Sequence, residues 1–196
     1  GYVSEDNGET FRICKAQYNS NYDYAFDPND QNVVFAASGN EHDWPVGWHA
    51  NATVNAGGIY KSTNKGRSWQ RLTSEGSGWN RQFMSVGYDH RRNTVYGGSH
   101  GGGIGRSTNG GQTWTWFNSG LPSGDKIIPQ ITVDPDNGNV YALVSGNAPN
   151  FTNQASTGIY FLDAQRGATS WTLLRGNVVY PPTADGGYKT WYYPTS

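Results

Sequence analysis

The sequence predicts an all-β fold, and three features of the chain support this prediction. Among its 196 residues are 27 glycines and nine prolines, and 14% of the residues are aromatic. This composition is typical of short strands joined by tight turns, because aromatic residues favour strands while glycine and proline favour turns. The other two features are sequence motifs that recur along the chain.

The first recurrent motif is Ser-x-(Asp/Asn)-x-Gly-x-(Ser/Thr) followed by an aromatic residue. It reads SEDNGETF at 4–11, STNKGRSW at 62–69 and STNGGQTW at 107–114. We call each copy a box. In a hairpin turn the Asp or Asn side chain accepts backbone N–H groups, and glycine supplies a positive φ. We expect the boxes to be structural, with Asp6, Asn64 and Asn109 holding the turns and Phe11, Trp69 and Trp114 anchoring the core.

A fourth, eroded copy of the box occurs near the end of the chain. The stretch GIYFLDAQRGATSW at 158–171 keeps Asp163 and Trp171 but is two residues longer and has lost the serine. We expect it to close a hairpin at the same place in its repeat.

The second recurrent motif lies between the boxes and is a strand, an Asp-led polar turn and another strand. It reads YAFDPNDQNVVFAASG at 24–39, VGYDHRRNTVYGGSHG at 86–101 and ITVDPDNGNVYALVSG at 131–146. Each copy is typical of a β-hairpin. One such hairpin (strands a and b) and one box hairpin (strands c and d) form a repeat, and the three boxes are 58 and 45 residues apart. Four antiparallel strands per repeat predict the blades of a β-propeller.

The strand count predicts about three and a half blades. The stretch at 1–3 matches a c strand, and YKTWYYPTS at 188–196 matches an inner a strand. Residues 1–196 are therefore expected to form one propeller domain or part of a larger ring. Further propeller sequence or another copy of the chain would complete that ring.

Charge and cysteine content exclude several classes of function. The formal net charge is −1, with acidic and basic residues interspersed, which argues against nucleic-acid and membrane-surface partners. Cys14 is the only cysteine, so neither an internal disulfide nor a thiolate-rich metal site is expected. No membrane span or leader is recognisable, so we expect a secreted protein whose export signal has been removed. No cofactor is predicted.

The boxes resemble a known repeat. Ser-x-Asp-x-Gly-x-x-Trp after an aromatic-rich strand is similar to the Asp-box, or BNR, repeat of sialidases, xyloglucan-degrading glycosidases and sortilin-type receptors. The sialidase hallmark Arg-Ile-Pro is absent, and the nearest string is Arg12-Ile13-Cys14. The xyloglucanase resemblance is closer, in the DP-x-N-x-VYA strands and in GIYKST before the second box. It implies a glycan-active propeller, although its catalytic aspartates match no particular positions here.

The candidate site is predicted at the end of the blades opposite the boxes. Successive turns of an up-and-down blade alternate ends, so the b–c loops and the inter-blade d–a loops share one face, which we call the loop face. Its residues combine aromatic rings, which stack on sugars, with short polar groups that bind hydroxyls. The predicted catalytic residues are Asp23, Asp43 and His42. The predicted substrate-binding residues are Tyr22, Trp44, Trp48, Trp79, Arg81, His100, Tyr188 and Lys189.

Several functions remain open on the sequence alone. A hydrolase needs two carboxylates, and the candidates are Glu41, Asp43, Asp23, Asp125 and Asp185. A polysaccharide lyase would use His or Tyr as base and acid, with a cation beside a uronate carboxylate. Its candidates are His42, His49, His100, Tyr22 and Tyr188, with Arg81 or Lys189. A non-catalytic glycan- or protein-binding propeller and an extracellular structural subunit also remain open.

Two further features concern modification and metal binding. Sequons at Asn51 and Asn150 predict N-glycosylation in loops of the same face. No metal site is predicted, because the histidines and aspartates of the long b–c loop lack a paired ligand spacing.

Overall fold

The computed structural model describes residues 1–16, 20–39, 57–73, 78–79, 81–124, 126–146 and 157–176. These residues form three four-stranded antiparallel sheets and one two-stranded sheet. They contain no α-helix, and the one helical element among them is a 3₁₀ turn at Ala164–Arg166. Within the same ranges, no helix is long and apolar enough to span a membrane.

The strands follow one another in chain order within every sheet. The two-stranded sheet pairs β1 (Tyr2–Val3) with β2 (Arg12–Ile13). The first blade contains β3 (Ser20–Phe26), β4 (Val34–Gly39), β5 (Gly57–Ser62) and β6 (Gln70–Arg71). The second contains β7 (Phe83–Asp89), β8 (Thr94–Ser99), β9 (Ile104–Ser107) and β10 (Thr115–Trp116). The third contains β11 (Lys126–Val133), β12 (Val140–Gly146), β13 (Gly158–Leu162) and β14 (Thr172–Gly176). This order confirms the predicted a-b-c-d blades.

The three boxes form the same hydrogen-bonded turn. In the second box the Ser62 hydroxyl accepts the Gly66 N–H at 2.7 Å, and Asn64 Oδ1 accepts the Ser68 N–H at 2.8 Å. The first and third boxes repeat both bonds at 2.7–2.9 Å. The glycine has a φ of 76° in the second box, and its counterparts are also positive. The turn chemistry predicted from the motif is therefore confirmed.

The Asp-led turns at the same end of the blades are also regular. Asp27, Asp89 and Asp134 each accept the backbone N–H two residues further along the chain, at 2.9, 3.1 and 2.8 Å. This side-chain bond closes the a–b turn, because it takes the place of a backbone turn bond. The eroded box forms a related turn, since Asp163 Oδ1 accepts the Arg166 N–H and the longer connection contains the three-residue 3₁₀ turn.

The predicted role of the box aromatics is only partly correct. Trp69 and Trp114 are half-buried against the cores of their blades. The prediction is wrong for Phe11, which is 65% exposed, because within the described residues no ring packs beside it as Tyr24 packs beside Trp69 and Trp79 beside Trp114. The fully buried member is Trp171 of the eroded box, which is 3% exposed and donates its indole N–H to the Phe117 carbonyl at 2.9 Å.

Neighbouring blades pack closely enough to restrict side-chain size. Phe35 of β4 lies against Tyr88 of β7 in the next blade, with ring centroids 4.6 Å apart. A Cβ on the box glycine Gly66 would overlap the sulfur of Cys14, which is buried. A Cβ on Gly111 of the next box would overlap Leu72 in the same way. The box glycines are therefore required by the close packing between blades as well as by the positive φ of the turn.

We expect Trp171→Ala to destabilise the protein by about 3–5 kcal/mol, because it removes a buried indole and leaves a cavity. Phe11→Ala should cost about 0.5 kcal/mol or less, because that ring is mostly in solvent. Chemical denaturation of both variants measures the difference. Equal losses of stability would contradict the burial assigned to the two rings.

We also expect the pKa of Asp6 to depend on Thr10. Hydrogen bonds from the Thr10 hydroxyl, the Thr10 N–H and Ser4 lower the pKa of Asp6 from 3.8 to about 2. Since the folded value is the lower one, the carboxylate favours the folded state at neutral pH, and this contribution is lost as the pH falls through about 2. Thr10→Val should raise the pKa towards 3.8, whereas Thr10→Ser should leave it low. Carboxyl NMR titration tests this, and an unchanged pKa in Thr10→Val would refute it.

Candidate functional site

The loop-face ends of the three inner strands share a backbone irregularity. The a–b pairing shifts register between Asn21 and Asp23 in the first blade and between Phe83 and Ser85 in the second. The third blade has a corresponding shift in β11 between Ile127 and Gln130. Such bulges re-aim side chains at the end of a strand. The bulges therefore interrupt the regular a–b hydrogen-bond pattern near the polar residues at the start of each inner strand.

Asp23 connects the inner strands of the first two blades. Its Oδ2 accepts the Val86 N–H of β7 at 3.0 Å, and its Oδ1 accepts the Tyr24 N–H at 2.8 Å. Burial raises the pKa of Asp23 by more than these two hydrogen bonds lower it. Each carboxylate oxygen has a second lone pair for another donor. Asp23 is thus both an inter-blade connection and a carboxyl group with a perturbed pKa.

Tyr22 is held by a residue that the sequence analysis did not identify. Gln82 donates its side-chain N–H to the Tyr22 hydroxyl at 2.9 Å and is only 5% exposed. Gly39 and Gly57 leave room for this contact, since a Cβ on Gly57 would lie 2.8 Å from the Gln82 Cα. In the sequence Gln82 has no feature that distinguishes it from a solvent-exposed glutamine. Its importance depends on the neighbouring blade.

His100 and Lys126 continue this row of residues towards the third blade. The His100 N–H donates to the Gln82 carbonyl at 3.0 Å, and His100 forms a single β-bridge with Ile127. The Gly101 N–H donates to the Lys126 carbonyl at 2.9 Å. Lys126 is 7% exposed, and its ammonium donates to the Gly124 carbonyl at 2.8 Å. We call Tyr22, Asp23, Gln82, His100 and Lys126 the loop-face arc, because they link the ends of three inner strands.

Trp79 and Arg81 lie further out on the second blade. The Trp79 ring is stacked on Trp116 of the outermost strand, with centroids 4.2 Å apart and planes 14° apart. The Arg81 guanidinium lies 5.8 Å from the centre of the Trp116 ring. One face of Trp79 is therefore covered by protein, and a sugar could stack only on the other. Its substrate-binding role stays a prediction.

The remaining predicted site residues lie outside the described part of the chain. They are His42, Asp43, Trp44, Trp48, Tyr188 and Lys189, together with the glycosylation candidates Asn51 and Asn150. The same holds for the other loop acids and bases, Glu41, His49, Asp125 and Asp185. Of the ten carboxylates in the described ranges, Asp23 alone lies on the loop face, and the other nine lie in boxes or Asp-led turns. Those ranges also contain no group of three His, Cys, Asp or Glu residues that could hold a metal ion.

Comparison with solved structures finds glycoside hydrolases of family GH74. The Niastella koreensis GH74 enzyme aligns with a TM-score of 0.60 and 22% identity, over 88% of this chain and 25% of that enzyme. An ancestral GH74 enzyme gives 0.62 and 23%, over 90% and 23%. The GH74 xyloglucanase from Xanthomonas campestris gives 0.52 and 20%, over 80% and 24%.

This likeness establishes the fold. The chain has the architecture of a β-propeller and spans about a quarter of the length of these enzymes. No family model matches the sequence, and no curated protein matches it.

We expect Asp23→Ala to destabilise the protein by about 1–3 kcal/mol, because the Val86 N–H loses its acceptor between two blades. Asp27→Ala, which removes a carboxylate from an exposed turn, should cost about 0.5–1 kcal/mol. Denaturant unfolding of both variants at neutral pH provides the comparison. A smaller loss for Asp23→Ala than for Asp27→Ala would contradict the inter-blade role.

The raised pKa of Asp23 also predicts a pH dependence. Because the folded protein binds this proton more tightly than the unfolded chain, the contribution of Asp23 to stability is greatest below the ordinary value of 3.8. It decreases as the pH rises through the folded pKa. Asp23→Asn should remove this decrease, which unfolding curves across the acidic range would measure.

Proposed function

We propose that this protein is a glycan-active propeller that binds a poly- or oligosaccharide at the loop-face arc and hydrolyses it. The observation that carries the proposal is the arc itself. It brings a phenol, a carboxyl, an amide, an imidazole and an ammonium group to the ends of three adjacent inner strands. Propeller ligands gather where inner strands and loops converge, and sugars need this combination of apolar and polar groups.

The Tyr22–Gln82 pair is suited to orient a sugar. A phenol ring offers an apolar face to sugar C–H groups, and its hydroxyl can bond a sugar hydroxyl. The bond from Gln82 fixes the direction of that hydroxyl, so less freedom is lost when a ligand binds. His100, which is half-buried, extends the surface towards the next blade.

The catalytic part of the proposal depends on Asp23. A general acid in a glycosidase needs a raised pKa, because it must hold a proton for the leaving group. The shift of Asp23 has this direction and is caused by burial. Hydrolysis requires a second carboxyl group, for which we propose Asp43 from the long b–c loop of the same blade. The GH74 class of the structural neighbours supports hydrolysis over elimination.

One observation favours a second candidate function, a glycan-binding module without catalysis. Both Asp23 oxygens accept backbone N–H groups, and one of these bonds joins two blades. A carboxylate employed in this way can be wholly structural, and the arc would then bind a glycan without cleaving it.

We further assign the boxes to the Asp-box repeat and the protein to the extracellular space. The identical hydrogen-bonded turns of the three boxes support the first assignment. The sequons at Asn51 and Asn150 and the polysaccharide substrate support the second.

We expect Tyr22→Phe to weaken oligosaccharide binding by about three- to tenfold, the effect of losing one hydrogen bond. Tyr88→Phe is the matched control, because it removes a hydroxyl bonded to Asn93 at the opposite end of an inner strand. Calorimetric titration with xyloglucan fragments and other plant and algal glycans measures both. Equal affinities of the two variants would contradict a site at the arc.

Turnover assays separate the candidate functions. New reducing ends that disappear in Asp23→Asn and Asp43→Asn, with binding retained, support the hydrolase. Products with ultraviolet absorption indicate a lyase, for which His42→Ala is the matching variant. If the parent protein binds a glycan but does not cleave it, the result supports the binding module. If it neither binds nor cleaves any glycan, the result supports a structural subunit.

A further inference from the structure

Arg81 is held in place by a backbone carbonyl and an aromatic ring. It lies on the loop face, in the d–a connection that leads into β7. Its Nε donates to the Gly78 carbonyl at 3.3 Å, and its guanidinium carbon lies 5.8 Å from the centre of the Trp116 ring. That ring is itself packed nearly parallel to Trp79 and Phe83, with planes 14° and 3° apart. The half-buried guanidinium is therefore supported at its Nε and against a fixed ring.

No carboxylate pairs with Arg81 in the part of the chain that the structure describes. The arginine–carboxylate pairs of those ranges all lie at the box end, and they are Arg12 and Arg67 with Glu5, Arg92 with Asp89, and Arg166 with Asp163. Within the same ranges neither terminal nitrogen of Arg81 has an acceptor. Because Nη1 and Nη2 each carry N–H donors, these groups are available to a ligand.

The b–c turn of the second blade leaves the terminal nitrogens uncovered on its side. It contains three successive glycines at 101–103. A Cβ on Gly101 would lie 3.3 Å from Arg81 Nη1, so the backbone of the turn passes next to the guanidinium. Ser99 donates its hydroxyl to the carbonyl of the third glycine, and Asn118 donates its side-chain N–H to that of the second, each at 2.9 Å. The turn is thus fixed and has no side chain that could cover Arg81.

The guanidinium adjoins the loop-face arc. Gln82, the residue after Arg81, donates to the Tyr22 hydroxyl at 2.9 Å. His100 directly precedes the glycine turn, and its N–H donates to the Gln82 carbonyl at 3.0 Å. A glycan that binds at Tyr22 and His100 therefore lies beside Arg81, and one of its sugar residues is within reach of the guanidinium.

We propose that the glycan bound at the loop-face arc is anionic and that Arg81 binds its carboxylate or sulfate group through Nη1 and Nη2. The inference rests on the proposed glycan binding, whose ligand class it names, and it holds equally for a hydrolase and for a binding module. The parallel N–H groups of a guanidinium match a pair of anionic oxygens, and such charge-assisted bonds are stronger than neutral ones. Uronic acids and sulfated sugars supply these oxygens, whereas a neutral glycan supplies only hydroxyl and ether oxygens.

The probes are matched pairs of oligosaccharides, titrated calorimetrically into the full chain. Uronate oligomers are compared with their methyl esters, and sulfated oligomers with their desulfated counterparts. We expect one acidic member to bind about tenfold or more tightly than its neutral partner, and Arg81→Gln to remove this preference. Arg81→Lys keeps the charge without the paired donors, so it should retain only part of the preference.

Arg166→Gln is the matched control. It makes the same change in net charge at the box end, where the Arg166 side chain is 86% exposed, and should leave the preference unchanged. Unfolding curves of both Arg81 variants, recorded beside that of the parent, show that they are folded under the conditions of the titration.

The outcomes separate this inference from the proposed function. A preference for the uronate over its ester assigns the bound group as a carboxylate, and a preference for the sulfated oligomer assigns it as a sulfate ester. Equal binding of acidic and neutral glycans by the parent overturns the inference but leaves the proposed glycan site intact. Equal losses of preference in Arg81→Gln and Arg166→Gln also overturn it, because the preference would then come from overall charge. If no glycan of either kind binds, the proposed function fails together with the inference.

Discussion

The packing of each blade against its neighbours is the constraint on which this structure depends. A four-stranded antiparallel sheet has two faces to bury, and a blade can bury them only against the next blade on either side. Phe35 and Tyr88 meet in this way across the first interface. Where the blades come still closer, side chains must be small, since a Cβ on Gly87 would lie 2.8 Å from Val133 of the third blade. The repeats are therefore interdependent, and their sequence motifs serve the interfaces as well as the individual turns.

This dependence explains which parts of the structure could be predicted from the sequence. The boxes and the Asp-led hairpins are largely local, because the side-chain bonds of Ser62 and Asn64 that define the turn are made within five residues, so the motif alone predicts them. The exposure of Phe11 and the burial of Trp171 were not predictable, since their motifs are similar and only the neighbouring strands and loops differ. Gln82 was missed for the same reason, because its partner Tyr22 belongs to another blade.

The two ends of the blades carry different chemistry for a physical reason. Asx turns need an acceptor at a fixed place, so in the described ranges the carboxylates concentrate at the box end, where Asp27, Asp89 and Asp134 accept backbone N–H groups. At the loop-face ends no Asx turn recurs from blade to blade in the described ranges. Bulges also interrupt the regular hydrogen-bond pattern of the inner strands there. Tyr22, His100 and Lys126 can therefore differ in type from blade to blade. The sequence indicated that this face holds the varied residues, but the bulges that orient them leave no recognisable pattern.

Asp23 and its counterpart in the second blade join neighbouring inner strands by different chemistry. The matching position of the second blade is Ser85, whose hydroxyl donates to the Ile128 carbonyl of the third blade at 3.0 Å. A neutral hydroxyl is thus sufficient to join two inner strands, and Ser85 does so while fully buried. A carboxylate in the same place is disfavoured by desolvation, which is what raises the pKa of Asp23. Because Asp23 accepts an N–H whereas Ser85 donates to a carbonyl, the two residues join neighbouring inner strands with opposite hydrogen-bond polarity, and the acceptor at Asp23 is provided at the cost of desolvating a carboxylate.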